Sequence, residues 1–248
     1  MKRRTSCFLL AAAGIFLLVA PSVLAFEPTS DYEVRQVEGY TVRVSATLLR
    51  AHHDVADRAL DLLRVRLYEM NRALPESALS RLKHTVVWIE WDDASFPGMC
   101  FHPSADWLRE HGLNPDKAGG VEIGNARNFI DWSAEQPSMV LHEFAHAYQH
   151  KVLGADDREE LRAAFERARA ARQYEHVLRA SGRTERAYAM TNPEEFFAEL
   201  SESYFGTNDF YPFVRAELKQ FDPDSFRLIQ RLWKSPASSS ATQPATAE

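Results

Sequence analysis

The chain has 248 residues, 45% of them hydrophobic, and a formal net charge of −6. That length suffices for one domain with a sizeable core, and the acidic balance excludes a basic surface of the kind that binds nucleic acid. Only one of its two cysteines, Cys100, lies beyond the N-terminal apolar run, which excludes an internal disulfide framework.

Residues 1–25 predict a cleavable secretory signal. Met1-Lys2-Arg3-Arg4 is a positive start, residues 8–20 are apolar throughout, and Val23-Leu24-Ala25 ends in small side chains. As a helix the apolar run would span about 20 Å, short of a hydrocarbon core of roughly 30 Å, so it reads as a signal and not as an anchor. The expected product is secreted or otherwise extracytoplasmic, with no membrane attachment after cleavage. Losing Lys2, Arg3 and Arg4 leaves it more acidic still.

Residues 26–234 are expected to form one domain. Residues 32–44 alternate apolar and polar side chains around Glu38-Gly39, predicting a β-hairpin. From Asp54, Val55, Ala59, Leu62, Leu63, Leu67 and Met70 recur at helical spacing until Pro75, and a short helix follows to about Leu82. Thr85-Val86-Val87-Trp88-Ile89 reads as a strand. Between Asp92 and Gly120 the pattern breaks into a long irregular region, marked by Pro97-Gly98, His102-Pro103 and Gly119-Gly120, with a short helix near 105–111. Cys100 within it reads as a small buried hydrophobe. Val121-Glu122-Ile123 is a further short strand.

Helices dominate afterwards. Pro137 is placed in the first turn of a helix running to Gly154, and Asp156-Asp157 caps an arginine-rich helix ending near Ser181-Gly182. Asn192-Pro193 opens a third helix, closed by Gly206, and two shorter ones follow Tyr211 and Pro223. Residues 235–248, rich in Ser, Ala and Thr, are expected to be a disordered tail. Strands first and helices last predict an α+β fold.

The chemistry lies in His142-Glu143-Phe144-Ala145-His146. Positions i and i+4 share a helix face with β-carbons about 5–6 Å apart, so both imidazoles can aim at one zinc ion (Zn2+). Glu143 lies one residue round, at the edge of that face, within reach of a water on the metal. Apolar neighbours fill the rest of the helix, so two histidines there without a metal would be buried without partners.

A catalytic zinc needs a third protein ligand. His150 continues the face, but eight residues of straight helix put it about 12 Å from His142 along the axis, too far to share a metal. A glycine at 149 and a histidine at 152 would extend the motif, but those positions hold Gln149 and Val152. A better candidate is Glu195 in Pro193-Glu194-Glu195-Phe196-Phe197-Ala198-Glu199. Glu195 and Glu199 stand at i, i+4 beside an apolar stripe, where like charges repel and a cation relieves them. Glu195 is read as the ligand, and Glu199 as the hydrogen-bond acceptor that orients a ligating histidine. Glu194 and Glu202 read as a solvated face.

These two helices, together with Tyr188-Ala189-Met190-Thr191-Asn192, resemble the lethal-factor-like gluzincin metallopeptidases, over roughly residues 138–233. The resemblance implies a zincin-like fold, a small N-terminal sheet ahead of the zinc helix, and residues 121–123 as its substrate-binding edge. It also implies His142, His146 and Glu195 as metal ligands, Glu143 as general base and Tyr188 as transition-state stabiliser. The expected activity is zinc-dependent endopeptidase cleavage of a peptide or protein substrate. Alternatives from the residues themselves are an exported binding protein with a structural zinc, closed by His102 or Cys100 as fourth ligand, and a zinc amidase acting on cell-wall peptides. Nothing in the sequence specifies an oligomeric state.

Overall fold

The computed structural model describes residues 26–93 and 96–234. The expected signal (1–25) and the expected tail (235–248) lie outside the described residues.

The architecture is α+β, with a small mixed sheet ahead of a mainly helical half. Strands β1 (Tyr32–Val37) and β2 (Tyr40–Ser45) form the expected hairpin, in the register Tyr32↔Ser45 to Val37↔Tyr40. Its two-residue turn puts Glu38 at φ 51° and Gly39 at φ 83°. Two positive φ values match the right-handed twist of the strands, and glycine accepts one of them at no steric cost. Tyr40, Val42 and Val44 point into the core from alternate positions of β2.

Helices α1 (Ala46–Ala51), α2 (His53–Ala73) and α3 (Glu76–Leu82) follow, with α2 burying Val55, Ala59, Leu63, Leu67 and Met70 as its spacing predicts. Strand β3 (Val87–Ile89) pairs in parallel with β2 and with β5 (Val121–Ile123), and β4 (Met99–Phe101) runs antiparallel to β5 on the outside. The order is therefore β1-β2-β3-β5-β4. This corrects the expectation for residues 121–123: β5 is an inner strand, and the edge beside the helix that carries His142 is β4, from within the region read as irregular. The short helix expected near 105–111 is α4 (Ala105–Glu110), and an unexpected α5 (Ala126–Trp132) follows β5.

Helix α6 (Met139–Val152) starts after Ser138, leaving Pro137 in the preceding turn. The arginine-rich helix α7 spans Ala155–Ala170, about a third shorter than expected. Arg172 takes φ 52°, which a right-handed helix cannot contain, and the chain turns into a two-stranded ribbon of β6 (Val177–Leu178) and β7 (Thr184–Glu185). Helix α8 (Pro193–Phe205) begins and ends where Asn192-Pro193 and Gly206 predict, and α9 (Arg215–Phe221) and α10 (Pro223–Leu232) close the chain.

Helices α6 and α8 are joined from behind. The indole of Trp233 stacks on Tyr148 of α6 at 4.3 Å between ring centroids and on Phe197 of α8 at 5.5 Å. Its Nε1 donates to Ser201 Oγ at 2.8 Å, and Tyr148 donates its hydroxyl to the Leu232 carbonyl at 3.0 Å. Burying three such aromatics in stacked geometry contributes several kcal/mol and ties both helices to the end of α10.

Candidate metal centre

Along α6, Leu141, Phe144, Ala145, Ala147, Tyr148 and Gln149 are buried, while His142, Glu143 and His146 remain partly open. The helix is anchored by its apolar residues and presents these three to a cleft. Helix α8 packs against α6 and brings Glu195 to the same side of the cleft. Its start is set by Asn192, whose side-chain oxygen accepts from the Glu195 backbone N–H at 2.8 Å, an N-cap that holds Glu195 in the first turn.

Three donor atoms converge. His142 Nε2 and Glu195 Oε2 are 2.9 Å apart, His146 Nε2 and Glu195 Oε2 are 3.3 Å apart, and the two Nε2 atoms are 3.1 Å apart. Ligands of a single tetrahedral zinc with nitrogen and oxygen bonds near 2.0–2.1 Å stand about 3–3.5 Å from one another. The residues present therefore fit a metal ion. Neither Cys100 nor His102 belongs to this donor group. His150 also stays out of it, its ring lying 5.6 Å from that of Phe101.

A second layer of carboxylates backs His142. Its Nδ1 donates to Glu202 Oε1 at 2.7 Å, whereas Glu199 Oε1 is 3.7 Å away. The expected acceptor role therefore passes from Glu199 to Glu202, three residues further along α8, and Glu202, expected on a solvated face, is buried, as Glu199 is. Glu199 Oε2 has no hydrogen-bond partner.

The electrostatics follow from this packing. Burial raises the Glu199 carboxyl well above the ordinary range, and the neighbouring Glu202 charge adds to that. Burial raises Glu202 too, opposed by its hydrogen bond to His142. For His142, burial favours the neutral ring, but the hydrogen bonds to Glu195 and Glu202 outweigh it and push the pKa well up. Glu195 is also partly buried, yet the hydrogen bonds from His142 and His146 hold its carboxyl well below the usual range. Negative charge surrounding two imidazoles is a setting that favours a cation.

The cleft holds about 550 Å³ and is lined by β4 on one side and by α6 and α8 on the other. Glu143 borders it on α6. Tyr188, in the turn Tyr188–Met190 ahead of α8, is 48% exposed at its mouth, with its ring 6.3 Å from that of His142. Burial of the phenol, then the charge of Glu195, raises its pKa. All the residues singled out in the sequence as ligands, base and stabiliser thus border one cavity. The sequence reading missed Glu202 and β4. Glu202 stands at i+7 from Glu195, on the same helix face, and that spacing was the signal available.

The sequence model of the family described as "Anthrax toxin lethal factor, N- and C-terminal domain" matches residues 107–232, just over half of the chain. The matched stretch contains α6, the turn with Tyr188 and α8. No curated protein and no solved structure matches the chain.

Proposed function

This chain belongs to the family of the anthrax toxin lethal factor N- and C-terminal domain, and within that family we propose that it is a zinc-dependent endopeptidase of gluzincin type with a zincin-like fold. The observation that carries the reading is the convergence of His142, His146 and Glu195, two from one helix and one from another, within 3.3 Å of each other on the wall of an open cleft.

Those three would hold zinc, which when bound supplies Lewis acidity toward a peptide carbonyl and lowers the pKa of a water. The protein supplies the rest. Glu143 shares the helix edge with the ligands and faces the cleft, where its carboxylate takes the proton of the attacking water and passes it to the departing amine. Tyr188 keeps its proton, since its pKa is raised, and donates a hydrogen bond to the oxyanion that develops on the substrate carbonyl. Glu202 holds His142 in the tautomer that leaves Nε2 free to ligate. Strand β4 has one edge paired to β5 and the other unpaired toward the cleft, which suits an extended peptide added as a further strand.

A structural zinc would be closed by four protein ligands. The donor group here has three, and the two residues expected to complete it belong to a separate group, which favours the catalytic reading. The substrate is a peptide or protein, met outside the cytoplasm if residues 1–25 act as an export signal.

The test is incubation of purified protein with a peptide library, with and without a chelator, alongside Glu143→Gln. Cleavage is expected only with metal, and the variant should keep its metal while losing about 10²–10⁴-fold in rate. Chelator-resistant cleavage, or full activity in Glu143→Gln, would refute the assignment.

A further inference from the structure

A second set of donor atoms lies on the sheet, in residues that the peptidase reading does not use. Cys100 of β4 pairs directly with Glu122 of β5, and His102 stands two residues beyond Cys100. Side chains at i and i+2 of a strand, and of directly opposed residues, share one face, so the topology gathers all three. Cys100 Sγ is 3.4 Å from His102 Nε2, which is 2.6 Å from Glu122 Oε2. His102 and Glu122 are 2% and 1% exposed, while Cys100 borders the cleft.

Hydrogen bonding accounts for only part of this arrangement. The short His102–Glu122 contact takes up the single proton or lone pair of Nε2, which leaves the Cys100 thiol a longer, shared contact at best. The other oxygen of Glu122 is already taken: Lys117 Nζ donates to Oε1 at 2.5 Å and to Glu90 Oε1 at 2.6 Å. The lysine thereby fixes the carboxylate and leaves Oε2 aimed at the histidine and the thiol. Glu90 and Glu122 are two buried carboxylates facing one ammonium, Lys117, an acid-rich setting that suits a divalent cation bound with a thiolate.

We propose that Cys100, His102 and Glu122 form a second binding site for a zinc-class divalent cation, separate from the His142 group and reached from the cleft through Cys100. Sulfur, nitrogen and carboxylate oxygen are the donors zinc takes. In tetrahedral geometry a sulfur bond near 2.3 Å and a nitrogen bond near 2.0–2.1 Å set those atoms about 3.6 Å apart, close to the distance found here. The His102–Glu122 contact opens by less than about 1 Å to admit the ion. The alternative use of such a trio, a nucleophilic thiol, is disfavoured: burial, reinforced by Glu122 and Glu143, raises the Cys100 pKa and keeps the free thiol protonated and unreactive. A bound cation would tie the edge strand to its neighbour at the wall of the cleft.

The experiment uses the full chain, reduced and stripped of metal, titrated with Co2+ and read by absorbance. Two equivalents are expected per chain, with a near-ultraviolet thiolate-to-cobalt band. Cys100→Ser and Cys100→Ala should each lose the band and one equivalent, and His102→Gln should bind that equivalent at least about tenfold more weakly. His146→Ala should lose the other equivalent and keep the band, so this site and the peptidase centre are scored separately. Absence of the band from the wild type at saturating Co2+, or its survival in the Cys100 variants, overturns the proposal.

Discussion

Glu202 and His142 meet through a 2.7 Å hydrogen bond across 60 positions of sequence, from the last turn of one helix to the open face of another. The bond fixes the ring so that Nε2, not Nδ1, faces Glu195. Glu202→Ala is therefore expected to weaken metal binding by about 10–100-fold with the fold retained. Glu199→Gln, at an acid whose carboxyl burial raises well above the ordinary range and which stands 3.7 Å from His142 Nδ1, should weaken it less than tenfold. Competition with a chromophoric chelator measures both, and equal effects would contradict the assignment of the acceptor role to Glu202.

Tyr188 is half exposed, with its ring centroid 6.3 Å from that of His142, and it is not one of the three converging donors. Tyr188→Phe should thus leave metal affinity unchanged while lowering kcat by about 10²–10³-fold, as expected for removal of one oxyanion donor. Single-turnover kinetics together with metal titration check the split. A fall in metal affinity would instead make the tyrosine a supporting residue.

Gly124 follows β5 where the loop from Phe96 passes over it, and a β-carbon there would stand 1.8 Å from the Phe96 carbonyl oxygen. That loop leads directly into β4. Gly124→Ala is expected to cost about 1–3 kcal/mol, as in overpacked sites, and to displace the edge of the cleft. Urea unfolding measures the loss. A midpoint equal to that of the wild type would show that the loop moves aside freely.

Tyr174 is buried and donates to Asp222 Oδ2 at 3.0 Å, and burial followed by the Asp222 charge raises its pKa well above 10.0. The folded value exceeds the unfolded one, so its contribution is complete below about pH 10 and is lost as pH rises toward the folded pKa. Above pH 10 the slope from this residue is about 1.4 kcal/mol per pH unit. Tyr148, pushed up to about 12 by burial, acts in the same direction. Urea unfolding at pH 8 and pH 11 should show a shallower alkaline loss in Tyr174→Phe than in the wild type.

The local features were legible because local rules govern them. Helix α6 and its donors follow from an i, i+4 spacing among apolar neighbours, and α8 from a capping Asn-Pro and a closing glycine. Strand β4 was hidden because three residues between Pro97-Gly98 and His102-Pro103 are too short to show alternation, and only β5 makes them a strand. The end of α7 was misplaced because Ala170, Ala171 and Gln173 all favour helix, and the positive φ of Arg172 has no trace in composition. Glu202 looked like surface because an acid is rarely buried. Its partner comes from another helix, and that partner is what keeps it inside.

The indole of Trp233 is the last aromatic ring of the described chain, yet it braces both helices that carry the donors. The final turn of the described chain thus adds a brace from behind to two helices that also pack directly on each other. As the chain is synthesised from its N-terminus, His142 and Glu195 both emerge before the ring that braces them. Truncation ahead of position 233 would therefore remove the brace while leaving every donor residue intact.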